Sequence, residues 1–476
     1  MTLLRSHQSS RQASTFPAVC LRTFVRISFC SLCLAVSGRA EDRPAWLVVG
    51  PWDARIEGRV DGLESALSVV VAKLRITLNF DHPLPLSAAA DSTAGQTRAS
   101  GGGTIPAIDF PPIVRSLRVE GGELVLKRGS ETRTLSWQGE FAQTSPGSWG
   151  GKLTATGPGT ELAANVSYRT TERTWRVSAL AVRLDLSAWS ALVLPMFLPK
   201  GMEWTCGGFA TLEGALAWTP GGLDGTMVLA VQDGRTGSAD GGIAIEGIEG
   251  ALHLVSLTKL ASAPAQRFTA RAFTAGQVRM TNLVAETTLL AADRMTARID
   301  GQGLGGRLAV DPFEFNPTEI RYSVNVRMDE IEAQPVLAMF PAVPQGTGTL
   351  VGHVPLSWTD GRLGFGEGRL ELKAGTTGRV RFHNPGLFTQ AWAAWLPGRK
   401  LLGQIEVGKE DLLVSELSIM LHAPGAPDGH AAVVRLVGVP AEHPRQGPYT
   451  FDFNINASLE GFINLGMKQN MSFDFK

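Results

Sequence analysis

Four groups of residues have the types and spacings from which chemistry is usually built. Gly301-Gln302-Gly303-Leu304-Gly305-Gly306 matches G-x-G-x-x-G, the turn whose glycines bring a pyrophosphate close to the backbone at the start of a helix. Here Arg307-Leu308-Ala309-Val310 follows, a strand-like segment where a dinucleotide fold needs a helix, so the six residues read as a hairpin turn. His422, His430 and His443 stand in or near Pro/Gly-rich loops without metal-ligand spacing and read as solvated loop residues. Asp233 and Asp240 have glycine neighbours but lack the repeated spacing of a calcium loop. Cys206, beside Gly207 and Gly208, reads as a small packing residue in preference to a reactive thiol. G-x-S-x-G, H-E-x-x-H and Walker sequences do not occur, which removes the commonest hydrolase, zinc and nucleotide signatures. The expectation is a chain without catalytic residues, metal or cofactor.

The elements that position side chains point the same way. In Gly346 to Arg381, Leu350, Val354, Leu356 and Trp358 share one parity and Thr349, His353 and Ser357 the other; after the turn Thr359-Asp360-Gly361, Leu370 and Leu372 alternate with Arg369, Glu371 and Lys373. Period two with one apolar and one polar side is the mark of half-buried, antiparallel neighbouring strands. The pattern occurs earlier as well. Gly208 to Gly222, with Leu212, Leu216 and Trp218, follows the apolar segment Leu192 to Phe197, as Gly346 to Gly361 follows Val336 to Phe340. The two copies predict an internal repeat of roughly 140 residues, too long for a short solenoid unit, so each copy must hold several strands. The chain ends on Tyr449 to Ala457, with Phe451, Phe453 and Ile455 on one side, and on Met471, Phe473 and Phe475 in a last alternating segment.

The 476 residues are 44% hydrophobic and 18% charged, and 54 are glycine, which recurs at turn-like intervals. Many short strands with glycine punctuation predict an all-β, mainly antiparallel fold. Lysine plus arginine balances aspartate plus glutamate at 44 each, so nucleic acid is not an expected partner. Helices are expected only at Leu186 to Phe197, Ala333 to Phe340 and Gly386 to Leu396. The last carries Leu387, Phe388, Trp392 and Trp395 on one face, suited either to packing on the sheet end or to resting as a lip on a membrane interface.

Residues 1–40 read as a cleavable export signal: Arg5, Arg11, Arg22 and Arg26, then an apolar run from Ile27 to Val36, then Gly38-Arg39-Ala40. Cys20, Cys30 and Cys33 would leave with it, and Cys206 alone would remain, which precludes an internal disulfide. The expected divisions are 1–40 as signal, 41–104 as N-terminal strands and a flexible connection, 105–330 as a first β region, and 331–476 as a C-terminal β region. Each β region holds one repeat copy.

G-T-G-T-L-V-G-H-V-P-L-S-W-T-D-G, followed by G-R-L-E-L-K-A-G-T-T-G-R-V-R-F and the Tyr449 to Ala457 strand, resembles the C-terminal region of YdbH-like proteins, part of the AsmA-like group with TamB and YhdP. The resemblance is clearest over residues 320–476 and looser over Ile105 to Tyr168. It implies a long twisted sheet curled into an open apolar trough that carries phospholipid across the periplasm between inner and outer membranes. It also implies an outer-membrane lipoprotein that pairs with the C-terminal strand edge. The candidate lining residues are Leu212, Leu216, Trp218, Leu350, Val354, Leu356, Trp358, Leu370, Leu372, Phe451, Phe453 and Ile455. The candidate partner edge is Met471, Phe473 and Phe475.

The residues themselves support a compatible expectation. About 25 strands at ~4.8 Å would make a sheet ~120 Å long, and the few short helices could not cover its apolar face. Such a face suits acyl chains, at ~0.8 kcal/mol per buried CH₂. A closed β-sandwich array gives the same alternation, so two readings stand: a periplasmic lipid conduit, and a structural or assembly scaffold with a closed β core.

Overall fold

The computed structural model describes residues 45–49, 52–60, 68–79, 114–193, 203–219, 222–239, 241–275, 278–316, 322–338, 345–359, 362–390, 395, 398–423, 430–455 and 473–474. The all-β expectation holds: the described strands belong to one open, mixed sheet, accompanied by three short helices. The chain divides into two compact units. One comprises residues 1–236, 248–267 and 288–295, and the other 237–247, 268–287 and 296–476. The expected leader lies outside the described residues.

The first unit begins with β1 (Ala45–Val49), β2 (Trp52–Val60) and β3 (Ser68–Asn79). There follow β4 (Ser116–Arg128), β5 (Glu131–Ser145), β6 (Ser148–Gly157), β7 (Thr160–Arg169) and β8 (Thr174–Asp185). Helix α1 (Leu186–Val193) leads to β9 (Trp204–Thr219). β3 and β4 run parallel, which the long connection between Asn79 and Ser116 permits. From β4 to β9 each strand is antiparallel to the next. Apolar side chains fill one face, while charges such as Arg118 and Glu140, 3.2 Å apart, occupy the other.

Strands β10 (Gly222–Ser238), β11 (Ile243–Ser256), β12 (Ala261–Ser262), β13 (Gln266–Ala275), β14 (Val278–Ala291) and β15 (Arg294–Gly303) follow. The second unit continues with β16 (Gly306–Phe315), β17 (Tyr322–Glu332), α2 (Ala333–Leu337), β18 (Gln345–Thr347) and β19 (Thr349–Thr359). Next are β20 (Arg362–Phe365), β21 (Gly368–Leu372), β22 (Gly378–Arg381) and α3 (Arg399–Glu406). The last four strands are β23 (Leu412–Leu421), β24 (Ala432–Pro440), β25 (Tyr449–Ile455) and β26 (Phe473–Asp474). The glycine-rich 301–306 segment is the hairpin turn expected of it: Leu304 and Gly305, both at positive φ, join β15 to β16.

The two segments compared in the sequence share a local strand–helix–strand geometry. In one copy, β8 carries a bulge, with Ala179 at φ 51° and a register shift between Val177 and Leu180; then α1 leads into β9, which pairs back on β8. In the other, β17 carries a bulge, with Glu330 at φ 58° and a shift between Met328 and Ile331; then α2 leads to β19, which pairs back on β17. Trp218 lies opposite Trp175 in the first copy and Trp358 opposite Tyr322 in the second. A bulge adds one residue to one strand, so apolar side chains that change parity, from odd to even on β8 and from even to odd on β17, stay on the same face.

The helices differ from the sequence expectation in one place. α1 and α2 fall where short helices are expected. Of the segment expected as a helix from Gly386 to Leu396, residues 386–390 form turns, residues 391–394 and 396 lie outside the described residues, and a described helix starts at Arg399. Gly386 and Gly398, at either end of this segment, both take left-handed conformations, φ 86° and 85°.

Candidate functional site

Each unit builds an apolar surface from cross-strand rows. In the first, Trp149, Tyr168, Trp175 and Trp218 lie opposite one another on β6, β7, β8 and β9, and all four are buried. The Tyr168 and Trp175 rings stack with centroids 4.3 Å apart. A second row joins Ala155, Leu162, Val182 and Leu212, the last three only half-buried against the core. Helix α1 covers part of this face. Trp189 Nε1 donates to Thr160 Oγ1 at 2.7 Å and Arg133 Nε donates to the Ala188 carbonyl at 2.9 Å, fixing the helix to β7 and β5. Cys206 Sγ lies 3.4 Å from the Leu186 carbonyl, and burial pushes its thiol pKa up, as fits a packing residue.

In the second unit one row crosses seven strands: Leu308, Met328, Gly352, Leu370, Ile419, Val434 and Phe453, on β16, β17, β19, β21, β23, β24 and β25. Adjacent rows are Val310–Val326–Val354 and Val324–Leu356–Phe365. Cover over these rows is uneven. Val310, Val324, Met328 and Leu356 are half-buried at the margin of the core and alternate with the buried Leu308, Val326, Val354 and Phe365, whereas Leu370, Ile419, Val434 and Phe453 are all buried. α2 covers Leu350 through Ala333, Val336 and Leu337, while α3 adds Leu401, Leu402 and Ile405 to the same cluster.

Over β24 and β25 lies an aromatic cluster. Phe388 sits 4.4 Å from Phe451 and 6.2 Å from Phe453, and Phe382 5.0 Å from Phe388, between ring centroids. The turn that carries Phe388 is tied down by Glu406, only 4% exposed. The Glu406 carboxylate accepts from the N–H groups of Phe388 at 2.9 Å and Thr389 at 3.0 Å, and from the Thr389 hydroxyl at 2.6 Å. Burial alone would raise its pKa; the hydrogen bonds from the Thr389 hydroxyl and from the Phe388, Thr389 and Gly386 N–H groups outweigh that and hold it below the usual glutamate range.

The candidate lining residues from the sequence fall into three groups. Leu216, Trp218, Leu350, Val354, Leu370, Phe451 and Phe453 are buried, and Leu212, Leu356 and Leu372 are half-buried. The side chains of Trp358 and Ile455 lie outside the described residues, although their backbones pair with Tyr322 and with Phe473. Of the proposed partner edge, Phe473 is described by its backbone alone, in β26, while Met471 and Phe475 lie outside the described residues. The sequence reading missed Val310, Val324 and Met328, whose alternation in β16 and β17 was available to find them, and Phe382 and Glu406, for which no local pattern exists.

Among the described residues, no group of three His, Cys, Asp or Glu could hold a metal ion, and no helix is long and apolar enough to cross a membrane. An open depression of about 710 Å³ lies at the Leu304–Gly305 hairpin, bordered by Arg279, Asn282, Gln302 and Arg307, with Arg307 paired to Asp300.

The fold and the site define an open β-sheet protein with one charged face and one apolar face that is only partly covered. Its family follows from comparison: a model of the YdbH-like family, described as intermembrane phospholipid transport protein YdbH, matches residues 59–391, well over half of the chain, and the chain belongs to that family. The family's role is phospholipid transport between membranes. The match begins in β2 and includes the candidate residues from Leu212 to Leu372; Phe451, Phe453 and Ile455 lie beyond it. No curated protein and no solved structure matches the chain.

Proposed function

We propose that the chain is a periplasmic lipid-transfer protein that conducts phospholipid between the inner and outer membranes along an apolar β-groove, without covalent chemistry. The observation that carries this reading is the half-buried set Val310, Val324, Met328 and Leu356, contiguous with the core of the second unit. Acyl chains laid on it would leave water at ~0.8 kcal/mol per CH₂, while headgroups stayed solvated. The protein's work is then to lower the desolvation barrier to lipid movement. Because the sheet is open, the closed β core required by the scaffold reading is not the architecture found.

Two contacts complete the proposal. An outer-membrane lipoprotein would add a strand beyond β25, whose pairing with β26 involves only Asn454 and Ile455 among the described residues. Trp395, 81% exposed, would rest on a membrane interface, where an indole ring is favoured.

Aspartate at Leu356 and Leu372 tests the groove. Both residues are half-buried, so Leu356→Asp and Leu372→Asp should leave the chain folded by circular dichroism and remove co-purifying phospholipid. A folded double variant that retains lipid would contradict the assignment.

A further inference from the structure

The seven-strand row of the second unit changes character along its length. Leu308 on β16 is buried, Met328 on β17 and Gly352 on β19 are half-buried, and from β21 to β25 the row is buried again. Part of that cover is a specific device. Phe382 leaves β22, and Phe388 comes from a turn that follows the left-handed Gly386; the two rings meet edge to face and lie across Phe451 and Phe453. All four rings are at or below 9% exposure, so an acyl chain cannot lie on β24 and β25 while they remain in place. The turn has no regular secondary structure to hold it. It is held by Glu406 at the C-terminal end of α3, through three hydrogen bonds to Phe388 and Thr389. A buried carboxylate surrounded by donors specifies one geometry, because displacing the turn would leave both the charge and the N–H groups without partners.

We infer that Phe382 and Phe388 form a stop that ends the acyl path before β24, with Glu406 as the positioning residue that keeps the stop closed. The inference rests on the proposed lipid path and adds where that path ends. Lipid would occupy the apolar face around Val324, Met328 and Leu356 and leave it there, and the strands beyond would be reached only when the Phe388 turn swings away. Gly386 is the natural pivot, since its φ of 86° is accessible to glycine without strain.

Photo-crosslinking tests this in the full chain, expressed in a diderm bacterium whose phospholipids carry radioactive phosphate. A benzoylphenylalanine is placed at position 356, on the half-buried stretch, or at position 453, beneath the stop, where it replaces a phenylalanine. The wild-type background should give labelled protein at 356 and at least tenfold less at 453. Phe388→Ala should raise labelling at 453 to within about twofold of that at 356, with 356 unchanged. Glu406→Gln, which keeps the side-chain volume and weakens the latch, should give an intermediate gain even if Phe388→Ala fails to fold. Equal labelling at 356 and 453 in the wild-type background would overturn the stop while leaving the lipid path standing. So would folded variants that gain nothing at 453. Absence of label at both positions in every background would overturn the path and the stop together.

Discussion

At the scale of single residues, Glu406 shows how a buried charge is tolerated in a mostly apolar interior. Its carboxylate replaces water with the Phe388 and Thr389 N–H groups and the Thr389 hydroxyl, and its pKa is held below the usual range despite burial. A folded-state pKa depressed below the unfolded value, about 4.3 for glutamate, stabilises the protein fully above that value. The contribution disappears as pH falls through the lower folded-state pKa. Thermal melts should therefore show a loss of stability below about pH 4.3 that is smaller in Glu406→Gln. At pH 7 the same substitution should cost about 1–3 kcal/mol, because a charge-assisted acceptor becomes a neutral one. Identical pH profiles for the two proteins would mean that the carboxylate does not hold the turn. None of this was legible in the sequence, since Glu406 and Phe388 are eighteen residues apart and meet only when α3 and the turn pack together. Gly352 is a similar case: a side chain there would collide with the Arg369 carbonyl, so the residue keeps β19 and β21 in register at a point where the apolar row has no side chain.

At the scale of elements, strands were legible because alternation is local. Leu350, Val354 and Leu356 on β19, and Leu162, Ala164, Val166 and Tyr168 on β7, declare their faces within a few residues. The resemblance between β9 and β19 is local for the same reason, as T-L-x-G and Trp-Thr occur in both strands. What covers each face was not legible. Alternation separates the apolar side from the polar side but carries no information on whether a helix or an aromatic turn lies above it, so the buried Leu370 and the half-buried Leu372 look alike in sequence. The segment expected as a helix from Gly386 shows the reverse problem: its apolar period of 3.6 opens at a left-handed glycine, and residues 386–390 form turns. The last strand has its own prediction. Deleting Met471 to Lys476 should abolish co-purification of an outer-membrane lipoprotein while the rest of the chain remains folded. Undiminished capture would show that strand pairing occurs elsewhere.

At the scale of the whole molecule, membership of the YdbH-like family assigns phospholipid transport between membranes, and the open sheet supplies a physical basis for it in an apolar face that the described helices cover only in part. Composition points the same way. With charge balanced at 44 against 44 and glycine at 54 of 476 residues, the chain has the turns for a many-stranded sheet and no net charge to steer it toward polyanions. Native mass spectrometry with lipid extraction is the most direct test of this account, applied to the full chain purified from a diderm bacterium. The account predicts several phospholipids bound per chain, lost together when Leu356 and Leu372 are replaced by aspartate. A folded, lipid-free chain would contradict it.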